Sequence, residues 1–157
     1  MFRRDRSIGA AHRRRASRGG RLALGLVLAA AILVVEACGF GEASQQAQTA
    51  VGRFHEHYNG HDYAQIYKVA DGAFKAKTDE SSFVNLMTAI QRKLGRELRT
   101  EVVASNITVG IGVSRVRIVC SSVFEGGNAQ EEFVWVVDKG PGRLLAYTIN
   151  SPTLVLK

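Results

Sequence analysis

Cysteine is scarce in this chain, and the scarcity excludes a class of fold. Among 157 residues only Cys38 and Cys120 are cysteines, so a small scaffold held together by disulfides is excluded. Several motifs of common chemistries are also missing: the sequence has no phosphate-binding glycine loop, no nucleophile elbow and no paired-carboxylate motif. Internal repeats and low-complexity tracts are missing too. The sequence therefore says more about location and fold than about activity.

An arginine-rich leader precedes a short apolar run. Eight arginines lie within residues 1–21, against the single acid Asp5, and uninterrupted apolar residues then run from Leu22 to Val35. The run is shorter than the roughly 18 residues that a membrane-spanning helix needs, but it has the length of a signal-peptide core. We interpret residues 1–37 as a signal peptide.

The net charge of +7 belongs mostly to this leader. Residues 1–37 hold eight of the 21 basic residues and two of the 14 acidic ones, which leaves 13 basic and 12 acidic residues in the rest of the chain. The rest is nearly neutral and has no basic patch with interleaved aromatic residues. We therefore expect no nucleic acid among the partners.

The junction after the apolar run resembles a bacterial lipobox. Val35, Ala37 and Cys38 match the aliphatic, small and cysteine positions of that motif, and Glu36 departs from it. The resemblance implies a palmitate-type acyl chain on Cys38, a short spacer over residues 38–43, and a membrane-anchored lipoprotein of the cell envelope. It would face the periplasm or the cell exterior, on the outer membrane in a Gram-negative source. An uncleaved N-terminal anchor and a plain secretory signal are the alternatives.

Cys120 has no partner within the chain if Cys38 carries lipid. It shares the alternation phase of Val116 and Ile118, which predicts a small buried hydrophobic residue. The alternative is a reactive thiol or a nucleophile, which would need surroundings that lower the pKa of the thiol. The sequence around Cys120 gives no sign of such surroundings.

Residues 44–157 have the length of a single domain with one core. Apolar residues at three- and four-residue steps predict a first helix over 44–58, a short second helix with Asp62 as its N-cap, and a third helix that opens at 78–80 and stops before Gly95. The three apolar stripes are Ala47, Val51, Phe54 and Tyr58; Tyr63, Ile66, Tyr67, Ala70 and Phe74; and Phe83, Leu86, Met87, Ile90 and Leu94.

Four strands follow, because the apolar period changes from helical to alternating. Their predicted positions are 97–109, 115–120, 133–137 and 144–149. The glycine-rich connections between them are too short for a parallel crossover, so neighbouring strands should be antiparallel. The prediction is an α+β domain in which N-terminal helices pack on one face of a curved four-stranded antiparallel sheet.

This order of elements resembles the cystatin-like cone of the nuclear-transport-factor-two-like superfamily. Residues 92–96, 116–124 and 142–149 are similar to uncharacterised bacterial lipoprotein families of that superfamily. The resemblance covers roughly residues 44–150 and rests on structural markers. One departure is Leu144, which stands where those families often carry a tryptophan.

The resemblance implies a pocket between the sheet and the helices. Relatives such as ketosteroid isomerases and polyketide cyclases use that pocket for catalysis with an inward Asp, Tyr or His. Here the acidic residues of the strand region are predicted mainly at turns or strand ends, so we expect no catalytic residue. These acids are Glu101, Glu125, Glu131, Glu132 and Asp138. The candidates for lining a pocket are Phe54, Tyr58, Tyr67, Trp135 and Tyr147, although aromatic residues at such spacing more often pack in a core.

Three histidines near the end of the first helix form the pattern H-x-H-x-x-x-H. His55 and His57 would point about 200° apart on a helix and could not bind one ion. His57 and His61 have a four-residue spacing, but the Asn59-Gly60 pair is predicted to end the helix between them. We expect no metal or other cofactor; His57 and His61 are the candidate ligands if zinc or copper binds, and a solvated helix end is the alternative.

Together these features predict a lipid-anchored, non-catalytic binding or accessory module of the cell envelope. The expected partners are the membrane, through the lipid, and a small apolar ligand or an envelope protein. The alternative function is a small enzyme of the ketosteroid-isomerase type that uses the cone pocket. A homodimer formed through the open sheet face is a further expectation, because relatives often dimerise in this way.

Mass spectrometry of the native N-terminus tests the leader directly. We expect a chain that begins at Cys38 and carries a diacyl or triacyl adduct on that residue, because the lipobox-like junction predicts acylation and cleavage there. A chain that retains the intact leader would contradict the lipoprotein interpretation.

Overall fold

The computed structural model describes residues 41–155, which form helices and one four-stranded sheet. The predicted signal peptide and Cys38, the predicted site of acylation, lie outside these residues. None of the helices within 41–155 is long and apolar enough to cross a membrane. The helices are α1 (described over 41–59), α2 (Tyr63–Lys68), α3 (Gly72–Lys75), α4 (Glu80–Leu94) and α5 (Pro152–Val155). The strands are β1 (Glu97–Val109), β2 (Ser114–Phe124), β3 (Gly127–Val137) and β4 (Arg143–Asn150).

Helix α1 buries the apolar stripe that its sequence predicts. All four stripe residues are buried, and the helix ends at the Asn59-Gly60 pair, as predicted. The Asn59 side chain then exchanges two hydrogen bonds with the backbone of Glu97: its Nδ2 donates to the Glu97 carbonyl at 2.9 Å, and its Oδ1 accepts from the Glu97 N–H at 2.8 Å. These bonds fix the end of α1 to the beginning of β1.

The prediction of a single second helix is wrong, because the chain forms two short helices in that region, α2 and α3. Asp62 occupies the N-cap position of α2, but its side chain makes no capping hydrogen bond. Asp71 caps α3 instead, since its carboxylate accepts from the Ala73 N–H at 2.9 Å. The Asp71 N–H in turn donates to the Leu144 carbonyl at 2.9 Å, which ties the break between the two helices to β4.

Helix α4 lies where the sequence predicts it. Asp79 caps its start by accepting from the Ser82 N–H at 2.9 Å. Gly95 ends it with φ 72°, a conformation that favours glycine, and a Cβ there would collide with the Glu125 carboxylate. The prediction that Leu86 belongs to the buried stripe is wrong: its side chain is 49 % exposed, and it lies at the margin of the stripe, about 70° from its centre.

The sheet is an antiparallel meander with strand order β1-β2-β3-β4, which confirms the predicted topology. Strand β1 is irregular after Glu97 and after Val102, where its register against β2 shifts. Strand β3 begins at Gly127, six residues earlier than predicted. One face of the sheet and the helices together enclose the hydrophobic core, which includes Ile118, Phe133 and Leu144.

A pair of neighbouring residues on α4 tests this packing. Met87 is fully buried and Leu86 is half exposed, so Met87→Ala should lower the free energy of unfolding by about 2–5 kcal/mol and Leu86→Ala by less than about 1 kcal/mol. Urea unfolding followed by Trp135 fluorescence measures both. Equal losses would contradict the orientation of α4.

Candidate functional site

A carboxylate lies at the centre of the protein interior. Glu131 on β3 is 0 % exposed and shares the inward phase of Ala129 and Phe133. Glu131 is therefore an exception to the prediction that the acidic residues of the strand region lie mainly at turns or strand ends. The prediction fails for Glu131 because β3 begins at Gly127, which places this residue within the strand and not at its end.

Three side chains from three different elements satisfy the Glu131 carboxylate. The Ser122 hydroxyl on β2 donates to Oε2 at 2.5 Å, and the Tyr147 hydroxyl on β4 donates to Oε1 at 2.7 Å. His55 on α1, itself 5 % exposed, brings Nε2 to 2.9 Å from Oε2. A buried carboxylate is costly unless its oxygens find polar partners, and these three contacts supply partners for both oxygens. Glu131, His55, Ser122 and Tyr147 are called the polar network below.

The polar network continues toward the surface along the inner face of the sheet. The Ser122 hydroxyl lies 2.8 Å from the hydroxyl of Thr100 on β1, and the Thr100 hydroxyl lies 3.0 Å from Oε1 of Glu97. Glu97 is half-buried, as is Thr100. These polar contacts lead from the enclosed carboxylate of Glu131 to the margin of the fold and join the irregular strand β1 to β2. Since each hydroxyl has one proton and Ser122 donates to Glu131, Thr100 donates either to Ser122 or to Glu97.

Burial keeps the Tyr147 phenol and the Cys120 thiol near Glu131 protonated at neutral pH. Burial raises the pKa of the Tyr147 phenol well above its usual range, and the nearby Glu131 charge raises it further. The same two causes, in the same order, raise the pKa of the Cys120 thiol to about 12. Cys120 is fully buried, which confirms the predicted small buried residue. A thiol that stays protonated at neutral pH is a poor nucleophile.

An apolar cavity of about 230 Å³ lies between α1, α2 and the turn into β4. Its rim carries Arg53, His57 and Arg143. The Arg143 guanidinium lies 2.8 Å from the Asp138 carboxylate and 3.3 Å from that of Asp71, and His57 Nδ1 lies 3.3 Å from the Asp62 carboxylate. The apolar side chains around the cavity are Ala50, Phe54, Ile66, Val69, Trp135, Pro141 and Leu144.

Phe54 contacts both the cavity and the polar network. Its ring lines the cavity, and its centroid lies 4.8 Å from that of Tyr147 and 5.7 Å from that of His55. None of the four members of the polar network lines the cavity. The aromatic ring of Phe54 therefore lies between the space that a ligand could occupy and the group that could act as a base.

The five aromatic candidates for a pocket lie in two different places. Phe54 and Trp135 line the cavity. The other three use their hydroxyl groups inside the fold: Tyr58 donates to the Gly95 carbonyl at 3.0 Å, Tyr67 donates to the Thr78 carbonyl at 3.0 Å, and Tyr147 donates to Glu131. These contacts agree with the alternative interpretation, in which the three tyrosines pack in the core and do not line a pocket.

The histidine cluster is divided between the surface and the interior. His57 pairs with Asp62, and His61 Nδ1 lies 3.1 Å from the Tyr63 hydroxyl, whereas His55 belongs to the polar network. Within residues 41–155, no group of three or more His, Cys, Asp or Glu side chains is arranged to hold a metal ion.

One periodicity in the sequence points to the polar network, and another is ambiguous. His55 lies one residue after Phe54 and three before Tyr58, at the margin of the apolar stripe of α1 and about 70° from its centre, the same angle as that of Leu86 on α4. Glu131 lies two residues before Phe133 and four before Trp135, in the inward phase of β3. A polar residue in a core phase indicates a buried partner elsewhere in the chain.

A comparison with protein-family models finds no family that matches this chain, and a search of curated proteins finds no significant match. Function is therefore argued from the site itself.

Two adjacent glutamates test the polar network. Glu131→Gln should lower the free energy of unfolding by about 3 kcal/mol or more, because the new amide N–H₂ would face groups that are already donors. Glu132→Gln, a matched change on the exposed face where Glu132 pairs with Arg117, should cost less than about 1 kcal/mol. Urea unfolding at one pH measures both, and equal costs would contradict the structural role of Glu131.

Proposed function

We propose that this protein is a lipid-anchored binding module of the cell envelope, with a cystatin-like cone fold, that holds a small apolar ligand without transforming it. The observation that carries the proposal is the apolar cavity between α1, α2 and β4. The leader supports the location, since its arginine-rich start, its apolar run and Cys38 resemble a lipoprotein signal. Helices packed on one face of a four-stranded meander support the cone fold.

The size and lining of the cavity suit a small apolar molecule. Its volume of about 230 Å³ exceeds that of apolar cavities of about 150 Å³ that bind benzene. Two of its three basic rim residues, His57 and Arg143, are already paired with carboxylates. Because the charge of Arg143 is largely neutralised by this pairing, apolar contact should contribute more to binding than charge.

The enclosure of Glu131 favours a non-catalytic role. A general base must lie within hydrogen-bond reach of the proton that it removes. Glu131 is fully buried, both of its carboxylate oxygens already have partners, and it does not line the cavity. A substrate in the cavity would meet the ring of Phe54 before it reached the carboxylate.

The alternative is a small isomerase that uses the same cavity. It has one specific observation in its favour: an inward carboxylate, Glu131, with a tyrosine hydroxyl and an imidazole beside it. This arrangement would need Phe54 to move before a substrate could reach Glu131. We therefore keep the enzyme as the second proposal.

A second copy of the chain is the partner that we propose for the open edge of the sheet. Strand β1 is an edge strand, and Leu98, Val102 and Val103 on it are exposed. Exposed apolar side chains beside an unpaired edge favour association.

Quenching of Trp135 fluorescence by iodobenzene tests the cavity. Trp135 is the only tryptophan and lines the cavity, so iodobenzene should quench it saturably. Ala50→Leu places extra carbons in the cavity and should weaken this binding by about tenfold or more. Ala64→Leu, on the exposed side of α2, is the matched control and should leave the binding unchanged.

Linear quenching that is the same in all three proteins would contradict a ligand cavity.

An assay for isomerisation of a β,γ-unsaturated ketone to its conjugated form, followed by ultraviolet absorbance, separates the two functions. We expect no turnover. Turnover that Glu131→Gln abolishes would favour the enzyme over the binding module.

A further inference from the structure

The turn between β1 and β2 exposes an apolar tip. Residues 109–113, here called the hairpin tip, consist of two valines and one isoleucine separated by single glycines. The Ile111 side chain is 105 % exposed, Val109 is 57 % exposed and Val113 is 38 % exposed. Turns normally carry Asn, Asp, Ser, Gly or Pro. Three exposed apolar side chains with no charge among them indicate contact with an apolar partner.

The hairpin tip lies beside the first described turn of α1. Glu42 and Ala43 of that turn line the same cleft as Val109 and Val113. The opposite end of α1 is bonded to the beginning of β1, through Asn59 and the backbone of Glu97. One end of the described part of α1 therefore lies near the beginning of β1 and the other near the end of β1, where the hairpin tip projects.

The chain before α1 determines what lies near this end. Cys38 precedes residue 41 by three residues, which span at most about 11 Å. The apolar run ends at Val35, only six residues before residue 41. Acylation of Cys38 would therefore hold residue 41, and the hairpin tip beside it, close to the bilayer.

We propose that the hairpin tip inserts into the lipid bilayer to which the chain is anchored, with Ile111 at the boundary between headgroups and acyl chains. This inference rests on the anchored module proposed above. Glu42, Asp138 and Lys139 line the cleft behind the tip, and their charges of both signs would remain at the level of the headgroups. The contact is thus apolar at the tip, and it would hold the domain in one orientation on the membrane.

Quenching of tryptophan fluorescence by brominated lipid tests the insertion. The full chain, purified from membranes, is reconstituted into phosphatidylcholine vesicles with and without brominated acyl chains. Ile111→Trp should lose fluorescence by roughly twofold in the brominated vesicles, because the new indole would lie about 5–10 Å deep, at the acyl boundary. The wild-type chain, measured in the same vesicles, gives the part of the quenching that comes from the buried Trp135.

Leu98→Trp is the matched control. Leu98 is also a well-exposed apolar residue, at 62 %, but it lies at the other end of β1, about 35 Å from the tip along the strand. It should show no more quenching than wild type. Far-UV circular dichroism verifies that both variants retain the fold.

The outcomes separate the insertion from the anchor. A chain that sediments with the vesicles, but whose Ile111→Trp variant is quenched no more than Leu98→Trp, overturns the insertion and leaves the anchor standing. Emission that shifts to the blue without quenching by bromine overturns it too, since the tip would then be covered by protein. A wild-type chain that does not sediment contradicts the anchored module and the insertion together.

Discussion

The rest of the structure depends on the need to satisfy one buried carboxylate. Glu131 lies where β3 crosses the core, and its partners come from α1, β2 and β4. Removing a charge from water is costly unless every polar atom finds a partner, so the positions of these elements are linked. A shift of any one of them would leave a donor or an acceptor unpaired in the interior. Hydrophobic contacts alone would tolerate such a shift more readily, because they lack direction.

This constraint also separates two parts of the interior. On one side of Phe54 is the polar network, closed and fully hydrogen bonded; on the other is an apolar cavity with space for a small molecule. The fold thus contains both a group able to accept a proton and a place for a ligand, but it keeps them apart. That separation supports the proposed binding module. An enzyme would need the Glu131 carboxylate to be within reach of a ligand in the cavity.

Local patterns in the sequence predicted most of the helices and strands. The polar network, in contrast, is formed by residues that are distant in the sequence, so no local pattern could reveal it as a whole. The stripes of α1 and α4 and the alternation of β2 follow periods that one segment reveals by itself. The first half of β3 does not reveal its period in this way, because the polar residues Gln130, Glu131 and Glu132 conceal the alternation of apolar and polar residues. His55 and Glu131 are 76 residues apart, so neither one identifies the other. Only the fold that brings α1 onto β3 makes them a pair.

A double-mutant cycle between His55 and Glu131 tests the central claim that the polar network is one structural unit. His55→Leu, Glu131→Leu and the double variant are compared with the wild type by urea unfolding. The account predicts that the double variant is more stable than the sum of the single losses implies, by about 1–3 kcal/mol, because it removes both members of a buried pair. Additive losses would contradict the claim.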